Sequence, residues 1–332
     1  MQSFLVTGGN GYIGSHMCKL LHKLGHEVVI IDNHSTSPEE PVHNFGTFFD
    51  GDIGDTDFVS EVLSNYKFSA VFHFAALSVV SESELEPFRY FYNNSIQSMV
   101  FFETLIEHKI QNIVFSSTSS TYGNNLKLEF LDEEAPQNPS NAYAVSKKLV
   151  EDTLTYLAQK YKFNAAILRY FNVAGNDPEL VIGENHEPES HLIPSLCLSL
   201  INNKTMNFKL FGDKHPTPDG TCIRDYIHVE DLVRAHYLAY ENFAKKPGVE
   251  VFNLGSGKGY SVKEVMKVFE EVSGAPLKYE ICPAREQDPP RLVCQIRKAK
   301  TELGFENQFS LRDAIEHTLN YLKKKRKRHP QN

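Results

Sequence analysis

Tyr143 and Lys147 stand four residues apart in "NAYAVSKK" (141–148), a spacing that puts both side chains on one face of a predicted helix. A phenol with an ordinary pKa of ~10 is a poor base at neutral pH. An ammonium beside it stabilises the phenolate, and the pair then becomes a general acid/base suited to a carbinol oxygen. Tyr-x-x-x-Lys also occurs on solvated helices, so the pair needs neighbours of the right kind. One neighbour is "IVFSSTSSTYG" (113–123), an apolar strand core that runs into hydroxyl side chains. Its plain reading is turn chemistry, because Ser and Thr bond nearby backbone.

A second neighbour is "TGGNGYIGSH" (7–16), which follows a predicted strand and opens a predicted helix. Gly9, Gly11 and Gly14 satisfy G-x-G-x-x-G, and Gly8, Gly11 and Gly14 satisfy the related G-x-x-G-x-x-G. Glycines tighten the turn and let backbone approach a pyrophosphate at the helix N-terminus. Asp32 ends the next strand, 18 residues beyond Gly14. A carboxylate there accepts adenosine ribose hydroxyls and repels a 2′-phosphate. No Arg or Lys follows closely, so the expected cofactor is NAD rather than NADP; the plain alternative for Asp32 is a capping role in a turn. The positive charge of an oxidised nicotinamide would join Lys147 in lowering the Tyr143 pKa.

Alternating strands and helices must position these groups. Short apolar runs at 4–6, 27–31, 70–74, 112–117 and 165–170 read as buried strands, and 12–24, 55–65, 87–108 and 143–160 carry helical periodicity. The alternation implies α/β architecture, a doubly wound parallel sheet of Rossmann type with a smaller, partly interleaved C-terminal substrate domain. Residues 1–179 are assigned to an NAD-binding domain, with 224–256 returning to it, and 180–332 to a substrate-binding domain and basic tail. The stretch 176–223 is rich in Pro, Gly, Asn and Asp with few long periodic runs, while a helix over 229–243, a strand over 249–255, a strand near 277–281 and a helix from about 310 are predicted after it.

The 332-residue chain has the apolar and charged content of an ordinary globular protein, and its formal charge of −8 argues against nucleic acid. Lys323 to Arg328 is a run of six basic residues, read as a solvated, partly disordered tail. Five scattered cysteines without C-x-x-C spacing suggest neither a disulfide framework nor zinc. His22 and His26 are four apart, but the intervening Gly25 predicts a helix end, and no metal site is expected. With no visible signal peptide and no membrane-length apolar run, the expected location is cytoplasmic.

On these residues the chain resembles the extended short-chain dehydrogenase/reductase family over essentially its whole length. The general elements are the glycine loop, "GDI" (51–53), "HFAA" (73–76), the hydroxyl-rich strand end and Tyr-x-x-x-Lys. Within that family, "RYFNVAG" (169–175), "GDKHPTPDGTCIRDYIHVEDL" (212–232) and "NLGSGKGYSV" (253–262) are similar to the 4-epimerases of UDP-hexoses. The resemblance implies that Tyr12 and Ile13 meet the NAD pyrophosphate, Asp32 and Asn33 the adenosine ribose, and Asp52 and Ile53 the adenine. Phe74, Ala75 and Ala76 would line the cofactor, with Asn94 and Phe171 nearby. Asn172, Arg224 and Arg285 would hold a substrate diphosphate, as guanidinium forks are suited to do. An Arg224–Asp225 ion pair is the structural alternative. Phe211 would pack on uracil, Asp288 would accept the uridine ribose hydroxyls, and His191 and Leu192 would face the substrate. By register with the family motif, the Thr118 hydroxyl would bridge the sugar 4′-oxygen and Tyr143, with Ser116 and Ser117 as backbone and cofactor-side partners.

The implied reaction interconverts UDP-glucose and UDP-galactose: proton removal by Tyr143, hydride transfer from C4 to NAD, rotation of the 4-keto sugar and hydride return. A homodimer is the family expectation. Ser119 and Ser120 stand where related dehydratases and decarboxylases carry acids, which leaves a UDP-glucuronate 4-epimerase as the nearest enzymatic rival and a non-catalytic NAD(P)-binding regulator as a rival of another class. Ser78 and His191 depart from the family's usual Lys and Asn. Leu292 is intermediate in size between a Tyr that excludes 2-N-acetyl sugars and a Cys that admits them, so UDP-GlcNAc and UDP-GalNAc stay open.

Overall fold

A computed structural model describes residues 1–328 apart from 39, 41, 125–127, 185–188, 190, 202–207 and 286–287. Seven strands form one parallel sheet: β1 (Ser3–Thr7), β2 (Glu27–Asp32), β3 (Thr47–Asp50), β4 (Phe68–His73), β5 (Asn112–Thr118), β6 (Asn164–Tyr170) and, after three strands outside this sheet, β10 (Val249–Leu254). Their order across the sheet is β10-β6-β5-β4-β1-β2-β3, and the winding reverses between β1 and β4. The strands between are β7 (Asn172–Ala174), β8 (Phe208–Phe211) and β9 (Ile223–His228); β11 (Gly259–Ser261), β12 (Tyr279–Cys282) and β13 (Arg291–Leu292) follow β10. Strand β9 pairs with β7, β11 and β13, and β8 pairs with β12.

Alternation along β1 decides the layers. Phe4 and Val6 pack with Met17, Cys18 and Leu21 of α1 (Tyr12–Lys23) and with Leu232 and Val233 of the helix at Val229–Asn242. Leu5 faces the opposite way, toward Val59 and Val62 of α2 (Thr56–Asn65) and the helices at Gln97–Glu107 and Ala142–Tyr161. Because both faces are covered, the strands are apolar throughout and read clearly in the sequence. Chain order makes these later helices α5 (Gln97–Glu107), α6 (Ala142–Tyr161) and α8 (Val229–Asn242), after α3 (Val80–Leu85) and α4 (Pro87–Tyr90) and with α7 (Leu192–Ile201) between α6 and α8; α9 (Val262–Ser273) and α10 (Leu311–Arg328) close the chain. A second core joins α7, α9 and α10 beside Leu210 and Tyr226.

Three expectations change. The helix expected over 87–108 is α4 and α5 joined by a π-helical turn, Phe91–Ile96, within which Asn94 is drawn onto the backbone of Leu77. The stretch 176–223 contains α7 and β8, missed because short strands with distant partners leave little periodicity. The basic run is no loose tail: α10 carries helix through Arg328, its apolar face buries Ile315 and Leu319, and Lys324 donates to the Leu180 carbonyl at 3.0 Å. Cations in a last helical turn also oppose the dipole's negative end. At His22 and His26 the helix does end at Leu24 and Gly25 (φ 77°), and His26 bonds the Tyr237 hydroxyl.

Candidate active site

The carboxyl ends of the parallel strands open into a cleft of about 1420 Å³ whose far wall comes from β8, β9, Arg285, Asp288, Pro289 and Leu292. The glycine loop forms its floor. A Cβ on Gly14 would lie 2.1 Å from the Gly8 carbonyl oxygen, and one on Gly8 (φ +69°) would lie 2.7 Å from the Ala75 nitrogen. No side chain fits this cradle. Gly11 caps α1 without a side chain, so the helix N-terminus faces the cleft through Gly11, Tyr12 and Ile13. Asp32 accepts from Asn10 N at 2.9 Å, His34 N at 3.0 Å and Ser37 Oγ at 3.0 Å. It therefore does cap the turn, yet a carboxylate has about four acceptor positions, which leaves one for a ribose hydroxyl on the cleft wall. The cradle, the helix terminus and this carboxylate fit a dinucleotide.

Asn33, Ile53, Phe74, Ala75, Ala76 and Phe171 line the same cavity; Asp52 and Asn94 do not. Asp52 stands one layer back, accepting from Asn33 Nδ2 at 2.8 Å and Gln97 Nε2 at 2.7 Å. Asn94 is buried with its amide spent on both backbone groups of Leu77 and on Ser146 Oγ. It ties the strand-end loop to α6 from behind.

Asn141 caps α6 by accepting from Ala144 N at 2.8 Å, and the first turns bury Tyr143 and Lys147 against the end of β5. Burial pushes the Tyr143 phenol up, with Tyr170 and Tyr90 adding to the rise and the Thr118 hydroxyl opposing it. Burial also lowers Lys147, to about 7, against the pull of Glu151. Its ammonium donates to the Ser116 carbonyl at 2.9 Å and lies 5.0 Å from the centre of the Phe115 ring. The sequence reading has Lys147 act on the phenol itself; the protein alone anchors it to β5 and leaves Tyr143 neutral. Ser117 is likewise not on the cofactor side: it is fully buried and donates to Glu151. The Ser116 hydroxyl pairs with Tyr170 OH at 2.5 Å.

The sequence model of the NAD dependent epimerase/dehydratase family matches residues 4–255. A UDP-glucose 4-epimerase of Halalkalibacterium halodurans is 42% identical over 97% of this chain and 96% of its own, and one of Corynebacterium glutamicum is 44% identical over 91% and 89%. The crystal structure of UDP-glucose 4-epimerase from Brucella ovis in complex with NAD superposes with a TM-score of 0.92 at 36% identity, covering 97% of this chain and 99% of that one. The chain belongs to the NAD dependent epimerase/dehydratase family.

In this family member the wall opposite the glycine loop carries the remaining expected residues: Asn172, His191, Leu192, Phe211, Arg224, Arg285, Asp288 and Leu292 all line the cleft. Arg285 stacks its guanidinium 4.3 Å from the centre of the Phe211 ring, which fixes both. Arg224 donates to the Pro289 carbonyl at 2.6 Å and pairs with Asp288 at 3.5 Å. Its chain neighbour Asp225 is not its partner. That carboxylate is buried and accepts from Ser256 N, Ser256 Oγ, Gly257 N and Cys294 N. His191 meets buried Glu184, with Glu189 behind it. Burial works against its charge, but the hydrogen bond and charge of Glu184 prevail and raise it to about 9. These three groups form an ion-pair set, and their ligand atoms lie within 4.8 Å of one another.

Sequence reasoning passed over Glu151 and Arg169. Both carried a signal: Glu151 is the next same-face position after Lys147, and Arg169 is a charge inside an apolar strand.

Proposed function

We propose that this protein interconverts UDP-glucose and UDP-galactose through oxidation at C4, rotation of the 4-keto sugar and return of hydride to its opposite face. The observation that carries the reading is one cleft with a Tyr143–Thr118 acid/base end beside the glycine cradle and an Arg224–Arg285 end opposite. Bound NAD supplies the two-electron acceptor for the C4 hydride and its return. Gly8, Gly11, Gly14, Tyr12 and Ile13 hold its pyrophosphate, Asp32 and Asn33 the adenosine ribose, and Ile53 the adenine, with Asp52 orienting Asn33. Thr118 passes the sugar 4′-hydroxyl proton to Tyr143, whose charge the retained cofactor and Lys147 stabilise. Arg224, Arg285 and Asn172 grip the diphosphate and Phe211 and Asp288 the uridine. The hexose, gripped only through its nucleotide, is free to turn.

Residues 1–179 with 224–256 serve the cofactor and 180–332 the sugar nucleotide; the pairing of β10 with β6 in the main sheet supports that return. A homodimer is supported by an exposed apolar face: Leu85 and Phe88 are 83% and 85% exposed, with Tyr92, Ile96, Leu149 and Tyr156 also on the surface. Among the described residues no helix is long and apolar enough to cross a membrane, and the cysteines are free, which supports the cytoplasm. The test is incubation of the purified protein with UDP-galactose, UDP-GalNAc and UDP-galacturonate separately, followed by chromatography of the products and of the NAD released on denaturation. Conversion of UDP-galactose with near-stoichiometric NAD is expected. Conversion of UDP-galacturonate alone would give the uronate reading instead, and bound NAD with no turnover a regulator.

A further inference from the structure

We propose that Glu151, held by Arg169 and Ser117, is a positioning residue for the Tyr143–Lys147 pair: it fixes α6 on β5 and supplies the counter-charge of Lys147. The proposal rests on the reading of Tyr143 as the acid/base. Glu151 lies one turn beyond Lys147 and two beyond Tyr143 on the buried face of α6. Its carboxylate is bonded from two strands and a loop. Ser117 of β5 donates to Oε1, Gln137 Nε2 donates to Oε2 at 2.9 Å, and Arg169 of β6 donates from Nε at 3.1 Å and from Nη2 at 2.7 Å. Arg169 in turn donates to Tyr122 OH at 3.0 Å, and Tyr122 OH donates to Asn253 of β10 at 2.7 Å. One buried network thus ties α6, β5, β6, β10 and the segment just after Thr118, so the spacing between Thr118 and Tyr143 depends on it.

The same carboxylate sets the electrostatics of the pair. The titratable groups around Lys147 are Tyr143 and Glu151 on its own helix and His73 from β4, with Arg169 of β6 behind Glu151; β5 offers the Ser116 carbonyl and the Phe115 ring. His73 is held neutral by burial, with Lys147 adding to the effect. Glu151 is the anion that acts on Lys147: burial holds the ammonium down to about 7 against this pull, and without Glu151 it would lie lower. A neutral Lys147 cannot stabilise a phenolate, so Glu151 acts on the reaction through Lys147.

Glu151→Gln keeps the shape and removes the charge. In the NAD-loaded variant the alkaline limb of kcat is expected to move down by about one pH unit, the effect of one lost opposite charge at short range. KM for UDP-galactose stays near wild type. The Tyr143 phenol, read as difference absorbance against the Tyr143→Phe counterpart, is expected to titrate higher than in wild type. Glu151→Asp keeps the charge, so its limb stays and kcat falls several-fold as the register loosens. An unmoved limb and an unmoved phenol titration in Glu151→Gln overturn the proposal, as does full kcat in Glu151→Asp. If neither variant folds, Glu151 is a folding determinant and the proposal fails. A wild-type protein that turns over no UDP-hexose fails the reaction reading alone, because the phenol titration needs no turnover.

Discussion

The Lys147 ammonium donates to the Ser116 carbonyl at 2.9 Å, so this charge is tied to the end of a strand and not to the Tyr143 phenol. Its position therefore does not depend on the protonation state of Tyr143. With burial raising the phenol, proton transfer is the step most exposed to mutation at this pair. Tyr143→Phe removes the transferable proton and little volume. The variant is expected to bind NAD as wild type does and to lose about 10²- to 10⁴-fold in kcat, measured with UDP-galactose. A near-normal kcat would reassign the base.

Arg224 sits between the Pro289 carbonyl and the Asp288 carboxylate on the cleft wall. Arg224→Ala removes the proposed phosphate ligand and takes from Asp288 its Arg224 partner, a repulsion toward any diphosphate. KM for UDP-galactose is expected to rise about 10- to 100-fold, with kcat changed far less. An unaltered KM in steady-state kinetics would make the residue a structural brace.

Leu292 ends β13 and lines the cleft, half-buried. Leu292→Cys shortens that wall. The ratio of kcat/KM for UDP-GalNAc over UDP-galactose is expected to rise by about tenfold, the scale of a methylene-sized change in a pocket. Equal ratios in the two proteins would rule out a gate at this position.

Glu230, on the first turn of α8, is pushed up to about 7 by burial, opposed by Lys19 and abetted by Asp177. Its stability contribution is full below the ordinary glutamate range and is lost as pH rises through about 7, because the folded protein resists the charge. Glu230→Gln should therefore match wild type at pH 4 and exceed it at pH 8 by roughly 2 kcal/mol in urea unfolding. Equal stability at pH 8 would show that the buried carboxylate is solvated.

The parallel sheet was legible because both its faces are covered, so β1, β2, β4, β5 and β6 announce themselves as unbroken apolar runs. The glycine cradle was legible for a related reason: Gly8 and Gly14 approach backbone so closely that only hydrogen fits. Tyr143 and Lys147 could be named from their spacing along one helix, and Asp32 from its place at a strand end 18 residues beyond Gly14. Strands of two to four residues such as β7, β8 and β13 could not, since their partners lie far away in the chain.

Sequence by itself determined the architecture, the dinucleotide loop and the residue types of the acid/base pair, because each depends on local periodicity or on short fixed spacings. Tertiary structure decided what those residues touch: Lys147 on Ser116, Ser117 turned to Glu151, Asn94 spent on Leu77, and Arg224 facing Asp288 instead of Asp225. Such pairings join residues 17 to 64 positions apart, and a buried polar group takes whichever partner the packed elements bring within hydrogen-bond reach.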